Sequence, residues 1–157
     1  MQEELEIDGV ESRGAHDISA LAERVRSEYF PATESLTILW GRKIEREKRR
    51  SIRLGSYDPR SRIIRIHPLL DSARVPGWFI QSIIHHEYLH HVLGPRHNRR
   101  FHLHEGRFRY QRESRLWLKR YLPMLLGYRA LPARALHPRR GHPGKEDSNG
   151  QYSLFGD

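Results

Sequence analysis

Residues 85–91 read His-His-Glu-Tyr-Leu-His-His, and the rest of the chain can be placed around this segment. It contains the pattern His-Glu-x-x-His at His86, Glu87 and His90. On an α-helix, residues four apart lie one turn above each other on the same face, about 6 Å apart along the axis. Two imidazoles so placed can reach one metal ion, and the glutamate lies close enough to touch a water on that metal. The segment therefore predicts a helix with two metal ligands and a general base.

The residues around this motif favour a helix with one apolar face. Five side chains fall within about 40° of one helical direction: Phe79, Ile83, His86, His90 and Leu93. Surface histidines would more often lie opposite such a stripe, so the context favours metal binding over a histidine-rich surface. His85 and His91 point away from the pair, and we expect them to be surface residues or supports behind the ligands.

The motif favours zinc chemistry. Zinc lowers the pKa of a water ligand to about 7, and Glu87 could take its proton during attack on a carbonyl. A catalytic zinc site needs a third protein ligand and an open position, and a chain without cysteine must supply histidine or carboxylate. His97 is the nearest candidate, just beyond the Gly94-Pro95 helix break. The alternatives for the third ligand are His102, His104 and Glu105.

Length and composition limit the classes of protein. The 157 residues suffice for one domain with tails. No apolar run reaches the length of a membrane span and the N-terminus does not resemble a secretory signal, so we expect a cytoplasmic protein. The 28 basic and 19 acidic residues give a net charge of +9. Such a charge suits a nucleic acid partner, with a solvated basic surface as the alternative.

Before the motif, the sequence predicts a helix and a small sheet. Asp17 can cap a helix with apolar residues at helical spacing that ends before Pro31. Residues 36–40 suit a short strand, and residues 52–58 and 62–67 alternate as two antiparallel strands joined by an Asp-Pro-Arg-Ser turn. An edge strand of this sheet could hold an extended peptide beside the metal.

After the motif, we expect a second long helix from about Asn98 to Leu122, with Phe101, Phe108 and Leu116 toward the core. Residues 1–15 are predicted to be a flexible acidic arm. Residues 16–122 are predicted to be the folded domain. Residues 123–157, rich in proline, glycine and arginine, are predicted to be a flexible basic tail.

Taken together, residues 36–122 resemble the SprT-like (Spartan-type) zinc metallopeptidases. The resemblance rests on the strands at 54–58 and 64–68, the motif at 86–91, and His97 followed four residues later by Phe101. It implies an α+β, minimal zincin-like fold, in which a small antiparallel sheet packs with the motif helix and two further helices. It also implies a zinc protease with His86, His90 and His97 as ligands and Glu87 as the base. The family is best known for degrading proteins crosslinked to DNA.

The last residues suggest a partner. Residues 151–155 resemble the pentapeptide with which bacterial replication and repair proteins bind the sliding clamp, with Gln151 in a polar subsite and Leu154 and Phe155 in an apolar pocket. Basic clusters at residues 42–50 and 134–145 predict nonspecific, salt-sensitive DNA binding.

Two other functions are consistent with these patterns. One is a noncatalytic adaptor that binds DNA and the clamp and holds a structural metal. Glu87 argues against it, because a purely structural site has no use for a general base. The other is a metal hydrolase of a substrate other than peptide, against which the predicted edge strand argues.

Overall fold

The computed structural model describes residues 14–42 and 52–126, and within these ranges the chain forms a mixed α+β domain. Its elements are α1 (Ile18–Tyr29), β1 (Thr37–Trp40), β2 (Gly55–Asp58), β3 (Ile63–Ile66), a 3-10 turn (Pro68–Leu70), α2 (Gly77–Leu93), α3 (Arg99–Glu105) and α4 (Gln111–Leu125). In the described part of the chain, no helix has the length and apolar character needed to cross a membrane.

Helix α1 forms where the sequence predicts it. The side chain of Asp17 accepts a hydrogen bond from the backbone N–H of Ala20 at 3.0 Å, which satisfies one of the unpaired donors of the first turn. The inward face buries Ile18, Ala22 and Val25. The helix ends at Tyr29, two residues before Pro31, so both predicted ends are confirmed.

The sheet differs from the prediction in one strand direction. β2 and β3 form the expected antiparallel hairpin, but β1 pairs with β3 in parallel, and the order is β1-β3-β2. The expectation of a purely antiparallel sheet was therefore wrong. The alternation around Ile38 indicates which face of β1 is buried, but it carries no information about strand direction. Direction is set by the path of the chain between β1 and β2, most of which lies outside the described residues.

Helix α2 is the centre of the domain. Between Phe79 and Leu89, buried residues occur on every face of the helix. The sequence predicted one apolar face, and that face is only one side of a helix that is buried on all sides. Helix α1, the sheet, α3 and α4 all pack against it. On the α4 side, the ring centroids of Phe79 and Trp117 lie 4.2 Å apart. Such burial fixes α2 firmly in position, and with it the histidines that it carries.

The predicted second long helix is broken into two. α3 ends at Glu105 and α4 begins at Gln111. Phe101 and Phe108 are buried as expected, whereas the side chain of Leu116 is 57% exposed, which contradicts its assignment to the core. The break restarts the helical phase, and the inward face of α4 is set by Trp117, Leu118, Tyr121 and Leu125.

The predicted arm and tail lie mostly outside the described residues. At the beginning of the described part, the backbone N–H of Ala15 donates to Asp71 at 2.8 Å. At the other end, α4 includes Pro123 and continues to Leu125.

Candidate metal centre

Three histidine side chains converge between α2 and α3. The Nε2 atoms of His86 and His90 lie 3.1 Å apart, those of His86 and His97 lie 3.1 Å apart, and those of His90 and His97 lie 3.0 Å apart. His86 and His90 come from successive turns of α2, as the motif predicts. His97 comes from the loop that joins α2 to α3. The three side chains form the one group in the described ranges that is able to hold a metal ion.

The loop turns the chain back so that His97 can reach the pair. Gly94 has a φ of 94°, a conformation that residues with a Cβ adopt rarely, and its N–H caps α2 by donating to the carbonyl of His90. Four residues later, the side chain of Asn98 caps α3 by accepting from the N–H of Phe101 at 3.0 Å. Phe101 is fully buried, with its ring centroid 4.8 to 4.9 Å from those of the three histidines.

Hydrogen bonds on the far sides of two rings fix their tautomers. Nδ1 of His86 lies 2.8 Å from Oε2 of Glu105, and Nδ1 of His90 lies 3.0 Å from the carbonyl oxygen of Gly94. A carboxylate and a carbonyl can only accept, so both Nδ1 atoms carry the proton and donate it. In the neutral rings, both Nε2 atoms therefore direct lone pairs toward the centre of the cluster.

This arrangement fits a metal ion. Two facing lone pairs at 3.1 Å repel each other unless a cation lies between them. Three imidazoles at the usual zinc–nitrogen distance of about 2.0–2.1 Å in a tetrahedral site have nitrogens about 3.3 Å apart. The observed separations of 3.0 and 3.1 Å are a few tenths of an ångström shorter. Small movements of the rings would therefore allow His86, His90 and His97 to bind the same ion.

The alternatives for the third ligand lie elsewhere. Glu105 supports His86 from behind, as described above, and its other oxygen accepts from the side-chain amide of Gln111 at 2.8 Å. His102 and His104 do not belong to the group that can hold a metal. The geometry thus selects His97 from the four candidates that the sequence left open.

Burial keeps His86 and His90 in the neutral form that binds metal. It lowers the pKa of His86 to about 4, against the opposing effect of Glu105, and it also lowers the pKa of His90. Burial alone would raise the pKa of Glu105, but the hydrogen bond from His86 outweighs it together with the nearby positive charges, and the net pKa is lowered. Glu105 is therefore a carboxylate that holds the proton of His86 on Nδ1.

Glu87 lies between α2 and the sheet. Its side chain is buried, and burial raises its pKa to about 8 while the positive charge of Arg53 acts in the opposite direction. It is not part of the histidine group. A cation held by the neighbouring histidines would favour its charged form.

Gly55 makes room for Glu87, a role that the sequence did not reveal. A Cβ at this position would lie 2.6 Å from Cγ2 of Ile83 and 3.0 Å from Oε1 of Glu87. The first distance is shorter than real Cβ contacts allow, so only glycine lets β2 pack this closely on α2. The strand and the carboxylate are therefore in direct contact.

On β2, the backbone groups of alternate residues point away from β3. The carbonyl of Leu54 accepts from the N–H of His67 at 2.8 Å, which fixes the alternation of the hairpin. By that alternation, the backbone groups of Gly55 and Tyr57 point away from β3. Since β2 lies at the end of the strand order, they face the open edge of the sheet in the described part of the chain.

The two histidines beside the ligands have structural roles. His85 is buried, and its ring centroid lies 4.9 to 5.3 Å from those of three aromatic residues, Tyr29, Phe30 and Phe108. The expectation of a surface residue was wrong for His85, because α1 and the chain after α3 cover this side of α2. His91 is half-buried, and its Nδ1 shares a hydrogen bond with the hydroxyl of Tyr57 at 2.5 Å.

Comparisons with protein-family models, with curated proteins and with solved structures find no match for this chain. The assignment of the site therefore rests on its residues and their geometry. Gln151, Leu154 and Phe155 of the C-terminal motif lie outside the described residues.

Proposed function

We propose that this protein is a zinc-dependent metallopeptidase with a minimal zincin-like, SprT-like fold, and that it acts on proteins associated with DNA or crosslinked to it. The observation that carries the proposal is the convergence of three imidazoles, two of which have tautomers fixed by hydrogen bonds, beside the helix that also carries the buried carboxylate of Glu87. Three imidazoles without thiolates suit zinc, and three protein ligands leave a fourth position for reaction. Zinc bound there would supply a Lewis acid that acidifies water and polarises a peptide carbonyl.

In the proposed reaction, Glu87 is the general base. Its carboxylate takes a proton from the attacking water and gives it to the leaving amine. Its dry surroundings give its carboxyl group a pKa of about 8 without a metal, and a neighbouring dication would lower this value toward the working pH. A structural metal site would have no use for a carboxylate placed in this way, which weighs against a noncatalytic adaptor.

Among the described residues β2 is an edge strand, which favours peptide as the substrate. An extended peptide can add to the edge through the backbone groups of Tyr57 and the N–H of Gly55, whose carbonyl accepts from Nε of Arg53, as in other cases of strand addition. Gly55 touches Glu87, so a peptide bound in this register passes directly beside the general base. A hydrolase for small molecules would not need such an edge.

The test is digestion of a DNA-crosslinked protein by the wild type and by Glu87→Gln, with and without DNA. Glu87→Gln should keep its zinc and lose at least about 10²-fold in the rate of peptide hydrolysis. Glu34→Gln, which changes an exposed carboxylate on the far side of the hairpin, is the matched control. Hydrolysis by Glu87→Gln at the wild-type rate would refute the mechanism, and a zinc-loaded wild type that cleaves no protein would favour the adaptor.

Exposed positive charge supports DNA as the proposed partner. Most of residues 42–50 and all of 134–145 lie outside the described part, but residues 96–120 carry nine exposed basic side chains. They are Arg96, Arg99, Arg100, Arg107, Arg109, Arg112, Arg115, Lys119 and Arg120. The same segment contains only two acidic residues, Glu105 and Glu113, and the first is committed to His86. A surface of this kind would bind phosphates with little sequence preference.

We further propose that residues 151–155 dock on the bacterial sliding clamp. Gln151 would fill the polar subsite, and Leu154 and Phe155 the apolar pocket. A contact of five residues should be micromolar at best and would gain from simultaneous DNA binding. The double variant Leu154→Ala, Phe155→Ala should keep zinc and peptidase activity and lose clamp binding. Equal clamp binding by the variant and the wild type would remove the clamp from the proposal.

A further inference from the structure

Arg53 immediately precedes β2, which is an edge strand among residues 14–42 and 52–126. Its Nε donates to the carbonyl oxygen of Gly55 at 3.2 Å. That carbonyl is one of the backbone groups that face away from β3. The guanidinium is therefore fixed at the place where an extended substrate would pass.

The anchor point of Arg53 lies against the reactive carboxylate. A Cβ at Gly55 would lie 3.0 Å from Oε1 of Glu87, so the residue that Arg53 binds is in contact with the general base.

Most of the hydrogen-bonding capacity of Arg53 remains available. A guanidinium has five N–H donors, and the bond to Gly55 uses the single donor on Nε. Arg26, Arg62 and Arg115 each lie within 4 Å of a glutamate. Within residues 14–42 and 52–126, no carboxylate forms such an ion pair with Arg53, and its side chain is exposed. A planar pair of terminal amino groups matches the two oxygens of a carboxylate.

We propose that Arg53 is a specificity-determining residue that binds a carboxylate of the substrate next to the scissile bond. This inference rests on the proposed peptidase function, since it assigns a subsite of the same cleft. The carboxylate can belong to an aspartate or glutamate side chain or to the free C-terminus of the substrate. In each case the bound group sits beside β2, within reach of a guanidinium whose position is set by Gly55.

The first test measures binding separately from hydrolysis. Zinc-loaded Glu87→Gln protein is titrated with decapeptides that are otherwise uncharged and carry a single glutamate at each position in turn. The same peptides with glutamine at that position are the neutral controls. A further pair of peptides compares a free C-terminal carboxylate with an amide. Peptide with the carboxylate in one register should bind about tenfold more tightly than its neutral match, as expected for a charge-assisted pair at a partly exposed site.

Variants then assign the preference to Arg53. Arg53→Gln should abolish it, and Arg53→Lys, which keeps the charge without the planar fork, should restore only part. Arg65→Gln is the matched control, because it removes the same charge from the exposed face of β3 and should leave the preference intact. A preference that survives Arg53→Gln, or that is the same in every register, would overturn the inference.

Turnover separates this role from transition-state stabilisation and from failure of the proposed function. In the active protein, which keeps Glu87, Arg53→Gln should lower kcat/KM for acidic peptides and leave kcat/KM for neutral peptides unchanged. An equal loss on both would overturn the inference, because it would place Arg53 in the chemical step. If the wild type cleaves nothing while the Arg53-dependent binding preference persists, the peptidase proposal fails and the carboxylate site stands.

Discussion

Glu105→Gln is the change that most directly tests how the metal centre is held. The substitution keeps the size of the side chain and an oxygen that can accept from Nδ1 of His86, but it removes the negative charge. It also introduces an amide N–H₂ group where the side chain of Gln111 now donates to Oε1 at 2.8 Å. One of the two amides must then rotate, so the supporting network loses order as well as charge.

The expected loss of zinc affinity follows from these contacts. The His86–Glu105 bond is 2.8 Å long and joins side chains that are 6% and 12% exposed, so solvent screens it little. A hydrogen bond to a charged group contributes about 1.5–3 kcal/mol and a neutral one about 0.5–1.5 kcal/mol. The difference of about 1–1.5 kcal/mol corresponds to about a tenfold weaker Kd for zinc. Glu105→Ala, which leaves no acceptor, should approach the about 100-fold limit seen for such supporting residues.

Competition between the protein and a chromophoric chelator for zinc measures these affinities. Glu28→Gln, an exposed carboxylate on α1, is the control for lost charge and should bind zinc as the wild type does. Thermal unfolding of the metal-free proteins checks that each variant is folded. A folded Glu105→Gln protein whose Kd lies within about twofold of the wild type would refute the reasoning. If Glu105→Ala lost zinc completely while His97→Ala kept it, Glu105 would be the third ligand.

Three further outcomes are expected. Gly55→Ala should destabilise the protein by about 1–3 kcal/mol in chemical denaturation and displace Glu87, because its Cβ would lie 2.6 Å from Ile83. Gly41→Ala is the control and should be tolerated, because its Cβ would have no neighbour closer than 3.5 Å. Equal stability of the two variants would contradict the packing. Burial lowers the pKa of His85 from 6.5 to about 4, so its contribution to the stability of the metal-free protein is complete above pH 6.5 and is lost as the pH falls toward 4, by about 3 kcal/mol. In urea denaturation at pH 7, 5 and 4, His85→Phe should avoid that loss while His102→Gln follows the wild type, and parallel curves for all three would exclude His85 as the cause. Replacing Arg112, Arg115, Lys119 and Arg120 by glutamine should weaken DNA binding and reduce the slope of log K against log salt by up to about 3.5. The control is a variant in which Arg60, Arg62 and Arg65 are replaced by glutamine. A slope equal to that of the wild type, or of this control, would show that DNA contacts another part of the protein.

Local features of the fold could be predicted from the sequence because each depends on neighbours along the chain. The Asp17 cap, the helix end at Gly94 and the hairpin turn after Asp58 all follow from hydrogen bonds between residues a few positions apart. The pairing of His86 with His90 is of the same kind, since a helix places residues four apart on one face. For these features, secondary structure alone fixes the distances.

Tertiary structure decided the features that depend on loops and on packing between distant segments. The sequence favoured His97 but left His102, His104 and Glu105 open, and the turn at Gly94 and the start of α3 bring His97 to the histidine pair while Glu105 lies behind His86. The same holds for the parallel pairing of β1 and for the burial of His85 under α1. Periodicity gives the face of an element but not which neighbour covers it. Local sequence therefore determines the pairing of His86 with His90, whereas the approach of His97, the support of His86 by Glu105 and the packing of Gly55 on Glu87 exist only once the helices and the sheet have packed.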